Sequence, residues 1–232
     1  MSETTWCDVD QYISDHLIPR QPALEAALAA SAAAGLPGIQ VSETQGKLLQ
    51  LLVRMHGARR ILELGTLGGY STLWLAGGLP ADGRLVTIEF EEKHAAVARA
   101  NLARAGLEKI VDLHVGAALD VLPRIAAHDP APFDFIFIDA NKEDYPEYFT
   151  WALRLSRKGT VIIADNVVRQ GGVLDPEHTD PRVQAVRRLY DLLAAEPRVT
   201  ATAIQTVGTK GYDGFVMALV IGDQPPGAPS LK

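Results

Sequence analysis

Ile61-Leu62-Glu63-Leu64-Gly65-Thr66-Leu67-Gly68-Gly69-Tyr70-Ser71 is the stretch on which the reading of the chain turns. It opens as a short apolar run that breaks at Gly65. A run this short, bounded by glycines, reads as a buried strand rather than a helix. Gly68 and Gly69 leave the following turn bare of side chains, so a ligand can approach the backbone. From Tyr70 to Ala76 the pattern returns as a helix. Strand, glycine turn and helix make the first half of a nucleotide-binding βαβ unit.

Spacing narrows the ligand. A dinucleotide fingerprint needs G-x-G-x-x-G, and a P-loop needs Gly-Lys-Ser/Thr. Gly65-x-x-Gly68-Gly69 is neither, and the turn contains no lysine. An acid, Glu63, stands just before the turn, where it would repel phosphate but could pair with a cation. The next predicted strand, Arg84-Leu85-Val86-Thr87-Ile88-Glu89, ends in a second acid. An acid there can accept both hydroxyls of an adenosine ribose. A ribose without phosphates, carried on a positively charged ligand, suggests S-adenosylmethionine.

Composition bounds the class. The chain has 232 residues, 47% of them hydrophobic, enough for one sizeable core. The expectation is a single domain over residues 1–223, with a helical extension at 1–40 and a flexible, proline-rich tail at 224–232. A formal net charge of −6 without any basic run argues against a nucleic-acid partner. One cysteine, Cys7, excludes an internal disulfide and a thiolate metal site. The acidic start is not a signal peptide, and no segment approaches a membrane span. The expected setting is the cytoplasm.

Around the opening unit, helices are predicted at 9–17, 22–34, 42–55, 91–105, 119–126, 146–155 and 181–195. Ser42-x-x-Gln45 reads as a capping box for the third of these, with Leu48, Leu49, Leu52 and Met55 as its core face. Further strands are predicted at 111–115, 133–139, 160–164, 200–207 and 215–221. The last two have only residues 208–214 between them, so they pair antiparallel. The fold class is therefore α/β: a Rossmann-like doubly wound sheet of seven strands with a reversed C-terminal hairpin and extra N-terminal helices. Residues 167–180 form a long polar loop of the kind that often covers substrate. Trp6, Tyr12, Trp74 and Trp151 read as packed, and His178 as solvated.

Ligands of such sheets bind beyond the carboxyl ends of the strands. Asp139 ends one predicted strand and Asp165-Asn166 the next. Two carboxylates and an amide carbonyl, without Cys or His, suit a hard dication such as Mg²⁺, or Mn²⁺ or Ca²⁺. The competing reading is that each acid caps a turn. Lys142 follows Asp139 by three residues and can point back over the same rim. Near a dication and a sulfonium its ammonium form would be disfavoured, fitting it for a general base. The alternative is an ordinary solvated lysine.

At these residues the sequence resembles the cation-dependent O-methyltransferases, the caffeoyl-CoA and catechol O-methyltransferase-like enzymes, in their bacterial small-molecule form. The resemblance runs from about Val41 to Ile221. It rests on Glu63-Leu64-Gly65-x-x-x-Gly69-Tyr70-Ser71, Asp139-Ala140-Asn141-Lys142-x-x-Tyr145 and Asp165-Asn166-Val167. It implies class I methyltransferase topology with S-adenosylmethionine as methyl donor. It further implies that Val41, Glu63, Gly65, Thr66 and Ser71 line the methionine side, that Glu89 holds the ribose, and that Ala118 passes near the adenine. Asp139, Asp165 and Asn166 take the metal positions, Asp139 also lies near the donor, and Lys142 stands at the base position. The implied acceptor is a phenolic small molecule with neighbouring hydroxyls, a catechol, and the implied assembly is a homodimer. Asn141 and Ala140 depart from family members that carry Asp, or an aromatic and a histidine, at those places. Two other readings remain: a nicotinamide-dependent oxidoreductase, against which the glycine spacing and the lack of a Tyr-x-x-x-Lys pair both speak, and a non-catalytic S-adenosylmethionine-binding subunit.

Overall fold

A computed structural model describes residues 2–223; the expected tail at 224–232 lies outside the described residues. The chain divides into two compact units. Among the described residues, one holds 2–118 and 207–211, the other 119–206 and 212–223.

The first unit begins with three helices, Glu3–Leu17 (α1), Pro22–Ala33 (α2) and Glu43–His56 (α3). Then follow Arg60–Leu64 (β1), Tyr70–Ala76 (α4), Arg84–Glu89 (β2), Glu92–Arg104 (α5) and Val111–Val115 (β3). Its strands are parallel in the order β3-β2-β1, with Glu63 opposite Thr87 and Glu89 opposite Val115. α1 starts six residues earlier than the predicted 9–17, because Ser2 accepts from the Thr5 N–H and caps it. Tyr12 is not packed: it is 64% exposed and stacks on His16, ring centroids 4.0 Å apart.

Ser42 caps α3 by accepting from the Gln45 N–H at 3.2 Å, and Gly57, left-handed at φ 69°, ends it. The predicted core face of this helix needs correction. Gly46, Leu49, Gln50 and Val53 are buried, whereas Leu48 and Leu52 are half-buried and Met55 is 73% exposed. The cause is Trp74 of α4. A Cβ on Gly46 would lie 2.3 Å from its indole, so the helix seats its one bare position on the ring and turns Met55 outward.

The second unit contains most of Ala118–His128 (α6), then Phe133–Ile138 (β4), Tyr145–Arg154 (α7), Ser156–Asp165 (β5), Pro181–Ala195 (α8), Val199–Gly208 (β6) and Gly211–Val220 (β7). Its strands run β4-β5-β7-β6, parallel between β4 and β5 and antiparallel between β5 and β7. All six residues of β4 are buried, as its apolar run requires of a strand covered on both faces. The final link is shorter than the expected 208–214. The strands continue to a tip at Thr209 and Lys210, which glycine opens at Gly211, φ 80°. No helix among the described residues is long and apolar enough to cross a membrane.

Candidate active site

The first unit presents the glycine turn. β1 delivers Glu63 fully buried, its Oε1 accepting from Ser71 Oγ at 2.6 Å and its Oε2 from Thr72 and Thr87 hydroxyls at 2.5 and 2.7 Å. The carboxylate thus ties β1, β2 and the start of α4 together through hydroxyls of the chain. Glu89 ends β2 and turns its side chain onto the same loop. Its Oε2 accepts the Thr66 and Leu67 N–H groups at 3.2 and 2.7 Å, and its Oε1 that of Glu91 at 2.9 Å. Left-handed backbone at Gly65 (φ 94°) and Gly69 (φ 84°) lets the chain reverse between strand and helix. Thr66 is buried, its hydroxyl 2.5 Å from that of Thr87.

Two helices grip this turn from outside. Buried Asn101 of α5 donates Nδ2–H to the Gly68 carbonyl at 2.8 Å. α2 comes so close that a Cβ on Gly68 would stand 2.1 Å from Ser31 Oγ. Val41 is buried just before the cap of α3 and, with Tyr70, Ser14, Ile18, Leu24 and Lys210, lines a cavity of about 650 Å³. Ala118 is buried at the first position of α6, after Gly116. Lys210, at the hairpin tip, donates to the Gly38 carbonyl.

The second unit presents the acids. Ile138 pairs with Ala164 in register, so Asp139 and Asp165 stand at matching ends of adjacent parallel strands. Buried Tyr145 joins those ends: its hydroxyl donates to the Asp165 carbonyl at 2.8 Å and lies 3.3 Å from that of Ile138. Burial first, and then the charges of Asp139 and Asp165, push this phenol well above its ordinary value, so it stays a neutral donor. Asp165 is buried and accepts the Asn166 N–H at 2.9 Å. Asn166 itself is left-handed at φ 57°, a conformation asparagine tolerates. Lys142 opens a short 3₁₀ turn and donates its Nζ to Asp139 Oδ1 at 2.5 Å, with 15% of its side chain exposed.

Among the described residues no cluster of three His, Cys, Asp or Glu side chains could hold a metal. A set of two acids and an asparagine falls outside that pattern, and its all-oxygen chemistry fits a hard dication with water completing the shell. The loop at 167–180 is less free than a lid. It contains a 3₁₀ segment, Arg169–Leu174, and its first residues are pinned by Asp213. His178 is half-buried, its Nδ1 accepting the Asp180 N–H that leads into α8.

Several residues on which this arrangement depends gave no early signal: Thr72, Thr87, Asn101 and Asp213. The Asp213-Gly214 pair was the available clue, since a glycine after an acid in a strand marks a close backbone approach.

A bare glycine turn after the first strand, an acid closing the second and a reversed terminal hairpin define a class I S-adenosylmethionine-dependent methyltransferase. The sequence model for O-methyltransferases matches residues 15–220. Catechol O-methyltransferase of Niastella koreensis is 53% identical over 95% of this chain and all of its own length. Catechol O-methyltransferase of Mycobacterium tuberculosis is 54% identical over 92% of this chain and 95% of its own. The O-methyltransferase of Bacillus cereus, solved in complex with SAH, is 61% identical and superposes with a TM-score of 0.93 over 94% of this chain and all of that one. The chain belongs to the O-methyltransferase family, and is an enzyme rather than the nicotinamide oxidoreductase or idle subunit of the alternative readings.

Proposed function

We propose that the enzyme moves a methyl group from S-adenosylmethionine to one hydroxyl of a catechol-like acceptor, and that a divalent cation, Mg²⁺ first among the candidates, is required. The observation that carries this reading is the register of β4 and β5, which brings Asp139 and Asp165 to matching strand ends with Asn166 directly after. Structures of relatives support the donor: that of Bacillus cereus is described in complex with SAH, and TomG of Streptomyces achromogenes, 56% identical with a TM-score of 0.93 over 96% of this chain and all of that one, in complex with SAM. The names of the two catechol O-methyltransferases support the acceptor.

Asp139, Asp165 and Asn166 would hold the cation. When bound, it would acidify a phenol whose free value is about 10. With Asp139 engaged by the cation rather than by the ammonium, Lys142 in its neutral amine form would take the acceptor's proton at Nζ. Val41, Glu63, Gly65, Thr66 and Ser71 fix the methionine end of the donor, with Asp139 near it, Glu89 its ribose, and Ala118 flanks the adenine. The acceptor oxygen attacks the sulfonium methyl, the C–S bond breaks, and S-adenosylhomocysteine leaves with the electron pair. No covalent enzyme intermediate is required, and alignment supplies on the order of 7–11 kcal/mol. The same reading includes a homodimer, which sedimentation velocity tests.

The deciding experiment is methyl transfer from labelled donor to a panel of vicinal dihydroxy aromatics, with and without EDTA. Activity abolished by EDTA and restored by Mg²⁺ is expected; full activity in chelator would overturn the cation. Asp165→Ala should lose turnover while keeping its affinity for S-adenosylhomocysteine.

A further inference from the structure

The turn that carries Asn166 is held by a carboxylate to which the reaction gives no part. After Asp165 the backbone is left-handed at Asn166 (φ 57°) and again at Arg169 (φ 53°) and Gln170 (φ 55°). Arginine and glutamine persist there only where their surroundings over-determine the conformation. Hydrogen bonding supplies that determination. The Asn166 N–H goes to Asp165 Oδ1 and the Val167 N–H to the Gly214 carbonyl at 3.0 Å. The Val168 and Arg169 N–H groups both go to Asp213 Oδ1, each at 2.9 Å.

Those last two bonds have a specific cause. Val168 is right-handed (φ −97°, ψ −32°) and Arg169 left-handed. Successive residues of that kind aim their N–H groups at one point and form a concavity for an anion. The Asp213 carboxylate fills it. Asp213 can reach because β7 pairs with β5, with Phe215 opposite Asp165. Gly214 permits the approach: a Cβ there would lie 2.3 Å from the Ile204 carbonyl and 2.8 Å from Val168 Cγ2. From the other side the Tyr190 hydroxyl bonds the Val167 carbonyl at 3.3 Å.

We propose that Asp213 is a positioning residue of the cation site: by filling this backbone concavity it fixes the turn at 166–169 and so sets where Asn166 stands. The proposal rests on the reading of Asp139, Asp165 and Asn166 as cation ligands. It requires Asp213 for the two hydrogen bonds accepted by Oδ1, and not for the long ion pair of its Oδ2 with the Arg169 guanidinium at 4.0 Å.

The test is Mn²⁺ binding to the full-length protein, followed by water-proton relaxation, beside calorimetric titration with S-adenosylhomocysteine. Wild type should bind one Mn²⁺, and Asp165→Ala should not; a wild type without that site overturns the cation reading and this proposal with it. Given the site, Asp213→Ala should weaken Mn²⁺ binding about ten- to a hundredfold, as loss of an outer support does. Its affinity for S-adenosylhomocysteine should stay within about twofold of wild type. Asp213→Asn keeps an oxygen for both N–H groups and should recover Mn²⁺ binding to within about threefold. Wild-type Mn²⁺ affinity in Asp213→Ala overturns the proposal. So does an equal loss in Asp213→Asn, which would make charge the cause, or a parallel loss of S-adenosylhomocysteine binding. If circular dichroism shows Asp213→Ala unfolded, Asp213→Ser replaces it, its hydroxyl being too short to reach both nitrogens.

Discussion

Two turns, one in each unit, solve the same problem with different chemistry. Each follows a parallel strand, each contains left-handed backbone, and in each a carboxylate from a neighbouring strand accepts two consecutive N–H groups. In the first unit Glu89 takes Thr66 and Leu67, and in the second Asp213 takes Val168 and Arg169. The first turn takes left-handed backbone at two glycines and at one non-glycine, Leu67 (φ 49°), and is held mainly by buried groups: Glu63, Thr72, Thr87 and Asn101. The second puts Asn166, Arg169 and Gln170 in conformations that glycine would take more easily. The first is therefore a largely permissive backbone, strained at Leu67 alone among its described residues, inside a rigid shell. The second is a more heavily strained backbone held by side chains, with three left-handed non-glycine residues at the candidate cation site.

The contrast predicts unequal damage. Glu63→Ala should be the most harmful change in the first turn. It leaves three hydroxyls without their acceptor at about 1–3 kcal/mol each, so a total loss of about 3–9 kcal/mol is expected in urea unfolding. A loss under about 1 kcal/mol would mean the buried shell does not hold that turn.

Gly68→Ala should do less, about 1–3 kcal/mol, the cost of overpacking against Ser31, together with weaker S-adenosylhomocysteine binding. Ser31→Gly in the same chain should restore both, because Gly68 is not left-handed and tolerates a Cβ once the hydroxyl is gone. Failure of the double variant to recover would place the damage somewhere other than α2. In the second turn Gln170→Gly should act with the opposite sign. Relief of about 1–3 kcal/mol of strain exceeds the roughly 0.4–1 kcal/mol that glycine adds to the unfolded chain's entropy. A net gain of about 1 kcal/mol at this exposed position is expected by urea midpoint, and a net loss would deny the strain.

The same contrast explains what could be read in the sequence. Gly65, Gly68 and Gly69 announce a turn because glycine's lack of a Cβ is itself the mechanism. Asp139 and Asp165 were legible because strand ends in a parallel sheet fall on one rim, and an apolar run shows where each strand ends. Asp213 was not, since it lies 45 residues from the N–H it holds and only the β5–β7 register reveals the pair. The face of α3 was misjudged for a related reason. Leu48, Leu52 and Met55 have helical spacing, but the bare site at Gly46 and the bulk of Trp74 decide which stripe turns inward. Local pattern reports what a segment can bury, and a distant partner decides what it does bury.

The subtlest expected effect is a pH dependence at Tyr145, a side chain that ties β4 and β5 together beside the candidate cation site. Its hydroxyl bonds two carbonyls, so Tyr145→Phe should cost about 1–2 kcal/mol near pH 8. That cost should depend on pH in a definite direction. In the folded chain, burial and the neighbouring acids raise the phenol well above its ordinary value, whereas in the unfolded chain it titrates near 10. A group raised in the folded state contributes stability that is complete below the unfolded value and is lost as the pH climbs from there toward the folded one. Wild type should therefore lose stability above pH 10 by up to about 1.4 kcal/mol per pH unit from this group, a loss the phenylalanine variant does not share. Other lysines and tyrosines titrate alike in both proteins and cancel in the difference. The stability gap between the two, measured by urea unfolding at pH 8 and again near pH 11, should narrow; a constant or widening gap would mean that the Tyr145 phenol titrates as freely in the folded protein as in water.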